Sequence, residues 1–228
     1  MTDLTGRTVL IAGATSRSGL VAARTLVESG AQVIAVGHDP VKLEQLAEQL
    51  DADAAWMTEA CDLTDEQAVD ALAERLHARG LHVDGLLHLV GGWRGGGGLA
   101  GQSDADFRFL ERSLTALRFV TRAFDGDLRA SSAGRLAMLS STAVARPLAG
   151  GANYAAVKAA SEAWMRAVAQ GFAKAARDAG ADLAAASTVF RVTTLDGLEQ
   201  IVADRFVALW DEDAPDVNDT VVELAPGR

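Results

Sequence analysis

Residues 8–19 run Thr8-Val-Leu-Ile-Ala-Gly-Ala-Thr-Ser-Arg-Ser-Gly19. The first five residues, apolar or β-branched, have the pattern of a buried strand. A helical pattern follows from about Ser18 to Ser29 and stops at Gly30, a residue type that tolerates the left-handed conformation of a helix end. Between them lies the turn Gly13–Gly19. Glycine there lets the backbone approach a pyrophosphate, and the helix N-terminus supplies N–H donors and a positive dipole. Thr15, Ser16 and Ser18 add hydroxyls. An ordinary strand-to-helix turn has the same outline, so the signal gains its weight from following the first strand.

The alternation continues along the chain. Strand patterns occupy 32–36, 55–60, 85–90, 135–139, 182–189 and 220–224. Helical patterns occupy 40–50, 64–79, 103–129, 152–179 and 195–209. Pro40 suits the first turn of its helix. Thr64 and Gln67 have the spacing of a capping box, and Ser103 that of an N-cap. Buried strands alternating with helices indicate an α/β fold: a Rossmann-type, doubly wound parallel sheet of about seven strands with helices on both faces. Without an internal repeat or linker, 1–228 reads as a single dinucleotide-binding domain.

Composition narrows the function classes. The 228 residues are 49% hydrophobic and 23% charged, a soluble globular balance that argues against disorder. The net charge of −10 disfavours nucleic acid and anionic membrane surfaces as partners. No uncharged run approaches the ~18 residues of a membrane span. The start, Met1-Thr-Asp-Leu-Thr-Gly-Arg7, has no signal-peptide core, so cytoplasm is the expected location. One cysteine, Cys61, excludes an internal disulfide. The four histidines (His38, His77, His82, His88) lack metal-ligand spacing, and no metal is expected.

The chain has one tyrosine and three lysines, and Lys158 lies four residues after Tyr154. That spacing puts both on one helix face. A phenol titrates near pH ~10, and an ammonium within ~4–6 Å can lower that value by ~1–3 units. Tyr154 then becomes a usable proton donor to a carbonyl or acceptor from an alcohol. The alternative is a buried Tyr beside an unrelated surface Lys. Cofactor preference is also legible. An NAD site expects an acid at the end of the second strand, but Val36 is followed by Gly37 and His38. Arg17 supplies a guanidinium suited to a 2′-phosphate. Both features favour NADP(H) over NAD(H), unless a two-residue register difference brings Asp39 to the ribose.

Together these residues resemble the short-chain dehydrogenase/reductase family over almost the whole chain. Gly13–Gly19 is similar to the family's glycine-rich turn, His88–Gly91 occupies the place of its Asn-Asn-Ala-Gly segment, and Tyr154/Lys158 match its Tyr-x3-Lys pair. Ser141 stands thirteen residues before Tyr154, and Thr194 closes the segment after the sixth strand. The resemblance implies a catalytic set of Ser141, Tyr154, Lys158 and Ser113, the last where the family carries Asn. Tyr154 would be the acid–base, Lys158 would bind the nicotinamide ribose, and Ser141 would orient the substrate oxygen. Cofactor contacts are implied for Gly13, Thr15, Ser16, Arg17, Ser18, Gly19, His38, Asp62, Leu63, His88, Val90, Gly91, Val192 and Thr194, besides Tyr154 and Lys158. The partners implied are a small carbonyl or alcohol substrate and further copies of the chain, in a homodimer or homotetramer built on the helices near 104–129 and 152–179.

The departures from the family are as specific as the matches. Arg17 stands at a usual glycine, His88-Leu89 at the Asn pair, and Val189-Phe190 at Pro-Gly. The substrate loop near 190–200 is too short for the usual covering helices, which predicts an open site. Arg94, Arg146 and Arg191 flank the expected cleft and suit either an anionic or acyl-carrier substrate or plain solvation. Two readings follow: an NADP(H)-dependent oxidoreductase, or a dinucleotide-binding module with little turnover, acting as sensor or scaffold.

Overall fold

The computed structural model describes residues 2–50 and 55–226; Met1 of the N-terminal stretch and the termini of the 1–228 domain reading therefore lie partly outside it. Seven strands form one sheet: β1 (Thr8–Ala12), β2 (Gln32–Gly37), β3 (Trp56–Ala60), β4 (Gly85–His88), β5 (Arg135–Ser141), β6 (Ala186–Val192) and β7 (Thr220–Leu224). Their order is β3-β2-β1-β4-β5-β6-β7, with every pairing parallel. The helices are α1 (Arg17–Glu28), α2 (Pro40–Ala47), α3 (Glu66–Ala78), α4 (Asp104–Ala130), α5 (Ala152–Ala179), α6 (Glu199–Ala208) and the short α7 (Ala214–Val217). This is the expected Rossmann-type sheet.

Two-sided burial explains the apolar strands. Val9 and Ile11 of β1 join Val33 and Ala35 of β2 in a core with residues of α1 and α6. Leu10 and Ala12 join Ile34 and Val36 in a second core with α3, α4 and α5. Because side chains alternate along a strand, a strand covered on both faces has no polar positions to spare. Among the described residues no helix is long and apolar enough to cross a membrane.

Several boundaries differ from the sequence expectation. The N-cap of α3 is Asp65, whose carboxylate accepts from the Gln67 and Ala68 amides. Thr64 instead donates its hydroxyl to Asp62 at 2.7 Å. β6 covers 186–192 rather than 182–189, because its ladder starts where Ala186 meets Arg135 of β5. β4 ends at His88, β5 continues to Ser141, and α6 starts only at Glu199. Gly30, Gly80 and Gly180 do follow α1, α3 and α5 with positive φ, which lets the chain leave each helix in the left-handed region.

Arg135 is 3% exposed at the start of β5, a placement that burial alone would penalise. Four carbonyls compensate: Nε donates to Leu209 at 2.7 Å, Nη1 to Gly134 and Ala184 at 2.9 Å, and Nη2 to Glu212 at 2.8 Å. This guanidinium ties the sheet to the segment after α6. Arg135→Met is expected to lower the unfolding free energy by about 2–3 kcal/mol through the carbonyls it strands. A denaturant midpoint equal to the wild type would show that water replaces the guanidinium freely.

Candidate active site

The strand order reverses at β1, between β2 and β4, which opens a crevice at the carboxyl ends of the strands. Register fixes what faces it. Ala12 is level with Val36 on one side and His88 on the other, so the turn after β1 lies between the segments that follow β2 and β4. Gly13 has φ +89°, and a Cβ there would lie 2.9 Å from the Val90 nitrogen. A Cβ on Gly19 would lie 2.1 Å from the Ala14 carbonyl oxygen. The turn is therefore packed backbone on backbone, and its outer surface can take a phosphate. Ser16 caps α1, its hydroxyl accepting from the Gly19 amide at 3.1 Å. Arg17 is the first helical residue, so its Cβ causes no strain where the family carries glycine.

The far end of the crevice bears on the 2′-phosphate question. A second cleft of about 390 Å³ is lined by Thr15, Ser16, Arg17, Lys42 and residues of α1 and α2. Arg17 itself leans toward α6, with Nε 3.3 Å from Glu199 and Nη1 3.8 Å from Asp196. Lys42 is a basic group that sequence reasoning overlooked; its position two residues after Pro40, in the first turn of α2, was the available signal. Asp39 is occupied as the cap of α2, accepting from the Val41 and Lys42 amides at 3.0 and 3.4 Å. Its carboxylate is thus tied back to its own helix. His38 is exposed and Leu63 is buried. Hydrogen bonds from the Thr64 hydroxyl and amide hold the Asp62 carboxyl below its ordinary range.

The main cleft, of about 740 Å³, joins the turn to the Tyr-Lys pair. Ser16, Ser18, Val90 and Gly91 line one part, and Ser141, Tyr154, Lys158, Val192 and Thr194 the other. Tyr154 and Lys158 are one turn apart on α5. The Lys158 ammonium is 5.9 Å from the Tyr154 ring centroid and donates to the Leu139 carbonyl at 2.8 Å. Burial raises the Tyr154 pKa above the ordinary phenol value, and hydrogen bonding with Ser141 opposes that rise. With the ammonium 5.9 Å from the ring centroid, removal of the phenol from water sets the net direction. Burial also lowers the Lys158 pKa to about 8, while the Glu162 charge works the other way.

Ser113 and His88 lie behind this pair and do not line the cleft. The Ser113 hydroxyl donates to Leu110 within α4 at 2.7 Å. Its carbonyl lies 3.2 Å from His88 Nε2, so that nitrogen carries the proton and donates. Burial and the Lys158 charge depress the His88 pKa to about 3, which keeps the ring neutral. Its Nδ1 is buried without a hydrogen-bond partner.

The three candidate substrate arginines part company. Arg191 donates to Glu162 through Nε at 2.9 Å and Nη2 at 2.6 Å. Arg94 stacks over Phe109 at 4.0 Å, and Arg146 is exposed on the loop after β5. After β6, residues 193–198 lead directly into α6 with no intervening helix. Away from the cleft, His77 and His82 converge on Asp127 despite their unpromising spacing. Each ring faces a different carboxylate oxygen, at 3.0 and 3.4 Å, with ring planes 26° apart. As placed, these groups form two imidazole–carboxylate hydrogen bonds, and their ligand atoms lie within 4.8 Å of one another.

Residues 7–176 match the family described as short chain dehydrogenase. Over 152 residues the chain is 30% identical to an NADP-dependent 3-hydroxy acid dehydrogenase, YdfG, of Salmonella typhimurium, covering 66% of this chain and 60% of that protein. It is 32% identical over 90 residues to a fatty acyl-CoA reductase of Acinetobacter baylyi, covering 39% of this chain and 30% of that one. The chain thus spans less than two thirds of either relative. A metagenomic short-chain oxidoreductase solved in complex with NADP superposes with a TM-score of 0.80 at 25% identity, over 98% of this chain and 99% of that one.

Proposed function

This chain belongs to the short chain dehydrogenase family of oxidoreductases, and from that premise we propose that it is an NADP(H)-preferring enzyme acting on a carbonyl or secondary alcohol, with Tyr154 as acid–base. The observation that carries this reading is the single cleft joining the glycine turn to Ser141, Tyr154 and Lys158. The cradle fits a dinucleotide, since the close-packed turn at Gly13 and Gly19 leads into the N-terminus of α1 and sets Ser16 and Ser18 along the cleft. Bound nicotinamide supplies the hydride chemistry. The chain's own part is to bind, orient and move one proton. Ser141 holds the substrate oxygen, and the Tyr154 hydroxyl gives its proton to that oxygen in reduction or takes it back in oxidation. The Lys158 ammonium stabilises the phenolate left behind.

NADP preference rests on Arg17 and Lys42 beside the second cleft and on the commitment of Asp39 to helix capping. NADPH is expected to bind at least tenfold tighter than NADH, read by fluorescence titration of both. Arg17→Ser with Lys42→Ser should erase that difference, and equal affinities in the wild type would remove the preference. The internal bond of Ser113 favours the second reading, a binding module with little turnover, and tight NADPH binding without reduction of any aldehyde or ketone in a broad panel would select it. Assembly into a homodimer or homotetramer rests on the outer face of α5, where Ala156, Ala159, Ala160 and Ala163 are exposed small residues that admit close helix approach. Light scattering decides this, and a strict monomer removes it.

A further inference from the structure

Tyr154, Lys158 and Glu162 stand at successive four-residue steps on α5, which places them in one row on a helix face. Glu162 is 2% exposed. Ser140 donates to its Oε1 at 2.6 Å, Arg191 Nε donates to the same oxygen at 2.9 Å, and Arg191 Nη2 donates to Oε2 at 2.6 Å. Ser140 and Arg191 are register partners on β5 and β6, so the carboxylate bridges the strand that ends at Ser141 and the strand that leads to Thr194. A buried ion pair is weak evidence for stability, because desolvation offsets the attraction. Its placement is more informative: the charge lies one turn beyond the active-site lysine, in surroundings with little water to screen it.

The groups facing Lys158 leave Glu162 with a distinct role. The Leu139 carbonyl of β5 accepts one ammonium proton. His88 of β4 is neutral, and Tyr154 of α5 is a protonated phenol at neutral pH. Gly91, after β4, leaves room beside the ammonium, since a Cβ there would lie 3.7 Å from Nζ. Arg191 of β6 and Arg166 of α5 act on Glu162 and keep it ionised against its burial. Among the described residues, it is the Glu162 charge that opposes the effect of burial on Lys158.

We propose that Glu162, clamped by Arg191 and Ser140, is a positioning residue that keeps the Lys158 ammonium protonated under the conditions in which the site works. This deepens the proposed oxidoreductase reading, which gives Lys158 its catalytic task, but the titration itself needs no substrate. It also gives Arg191 an internal role in place of substrate recognition.

The chain has only three lysines, and Lys42 and Lys174 are exposed, so ¹³C-lysine NMR can follow Lys158 by itself. In Glu162→Gln its midpoint should fall by about one pH unit or more relative to the wild type. The double variant Glu162→Met/Arg191→Met removes both charges without leaving one buried and unpaired, and should lower the midpoint in the same direction. An unmoved midpoint in whichever variant is folded overturns the proposal. With NADPH and the best substrate from a panel of simple aldehydes and ketones, the alkaline limb of kcat/KM should move down by the same interval. A variant that only loses thermal stability would leave that limb in place. Tyr154→Phe separates the two readings: if it stays fully active while the lysine midpoint moves in Glu162→Gln, the oxidoreductase mechanism fails and the role of Glu162 stands.

Discussion

Tyr154→Phe is expected to reduce NADPH-dependent carbonyl reduction by about 10³-fold, within the range that a positioned acid–base contributes. The substitution removes one oxygen atom. The ring stays in α5, where Tyr154 is partly buried, so folding and dinucleotide affinity should change little. No other phenol exists in the chain to substitute for it. Burial raises the Tyr154 pKa and keeps the group protonated, which suits a proton donor in the reductive direction. Alcohol oxidation needs the phenolate, so it should gain rate with pH until Lys158, with its pKa lowered by burial to about 8, loses its own proton. Steady-state rates over a pH series, with thermal melts as a control for folding, check this. Equal rates in the two proteins would remove Tyr154 from the mechanism.

Gly19→Ala should have the second large effect. The added methyl would lie 2.1 Å from the Ala14 oxygen and 2.4 Å from its carbonyl carbon, both backbone atoms that cannot swing aside. Either the turn opens or α1 shifts away from it. Either response breaks the Ser16 cap, which depends on the Gly19 amide, and moves the N–H groups that would meet a pyrophosphate. The expected cost is about 2–3 kcal/mol of stability, as for other overpacked sites. NADPH affinity should fall at least tenfold as well. A thermal melt and a fluorescence titration read the two effects separately. Wild-type values in both would mean that the turn relaxes without consequence. Gly91→Ala, with only the Lys158 Nζ at 3.7 Å, is the mild comparison.

Much of this was legible in the chain. The row Thr8–Ala12, the turn to Gly19 and the helix-ending glycines are local signals, and each depends on chemistry within a few residues. Other features had competing local solutions. Thr64 and Asp65 can both cap a helix, and the backbone placed Asp65 there while Thr64 turned to Asp62. The Ala-rich stretch before Ala186 has no strand propensity of its own, so the start of β6 was set by Arg135 on the neighbouring strand.

Glu162 is the clearest case of what was missed. Its spacing from Lys158 was visible, yet an isolated Glu in a long helix reads as a surface residue. Arg191 reads in the sequence as either a substrate contact or a solvated charge, because an arginine at a strand end looks free until its partner is known.

By itself the sequence determined the alternating fold, the glycine-bearing turn after β1 and the Tyr154/Lys158 pair one helical turn apart, because periodicity, glycine conformation and helical spacing all act over short stretches of chain. Only the tertiary structure decided that Arg191 and Ser140 clamp Glu162 beneath Lys158, that Arg17 meets Glu199, and that His88 points at the Ser113 carbonyl. These depend on the distance between strands and helices far apart in the chain and on how much water is excluded around them, and the strength of a charge interaction follows from both.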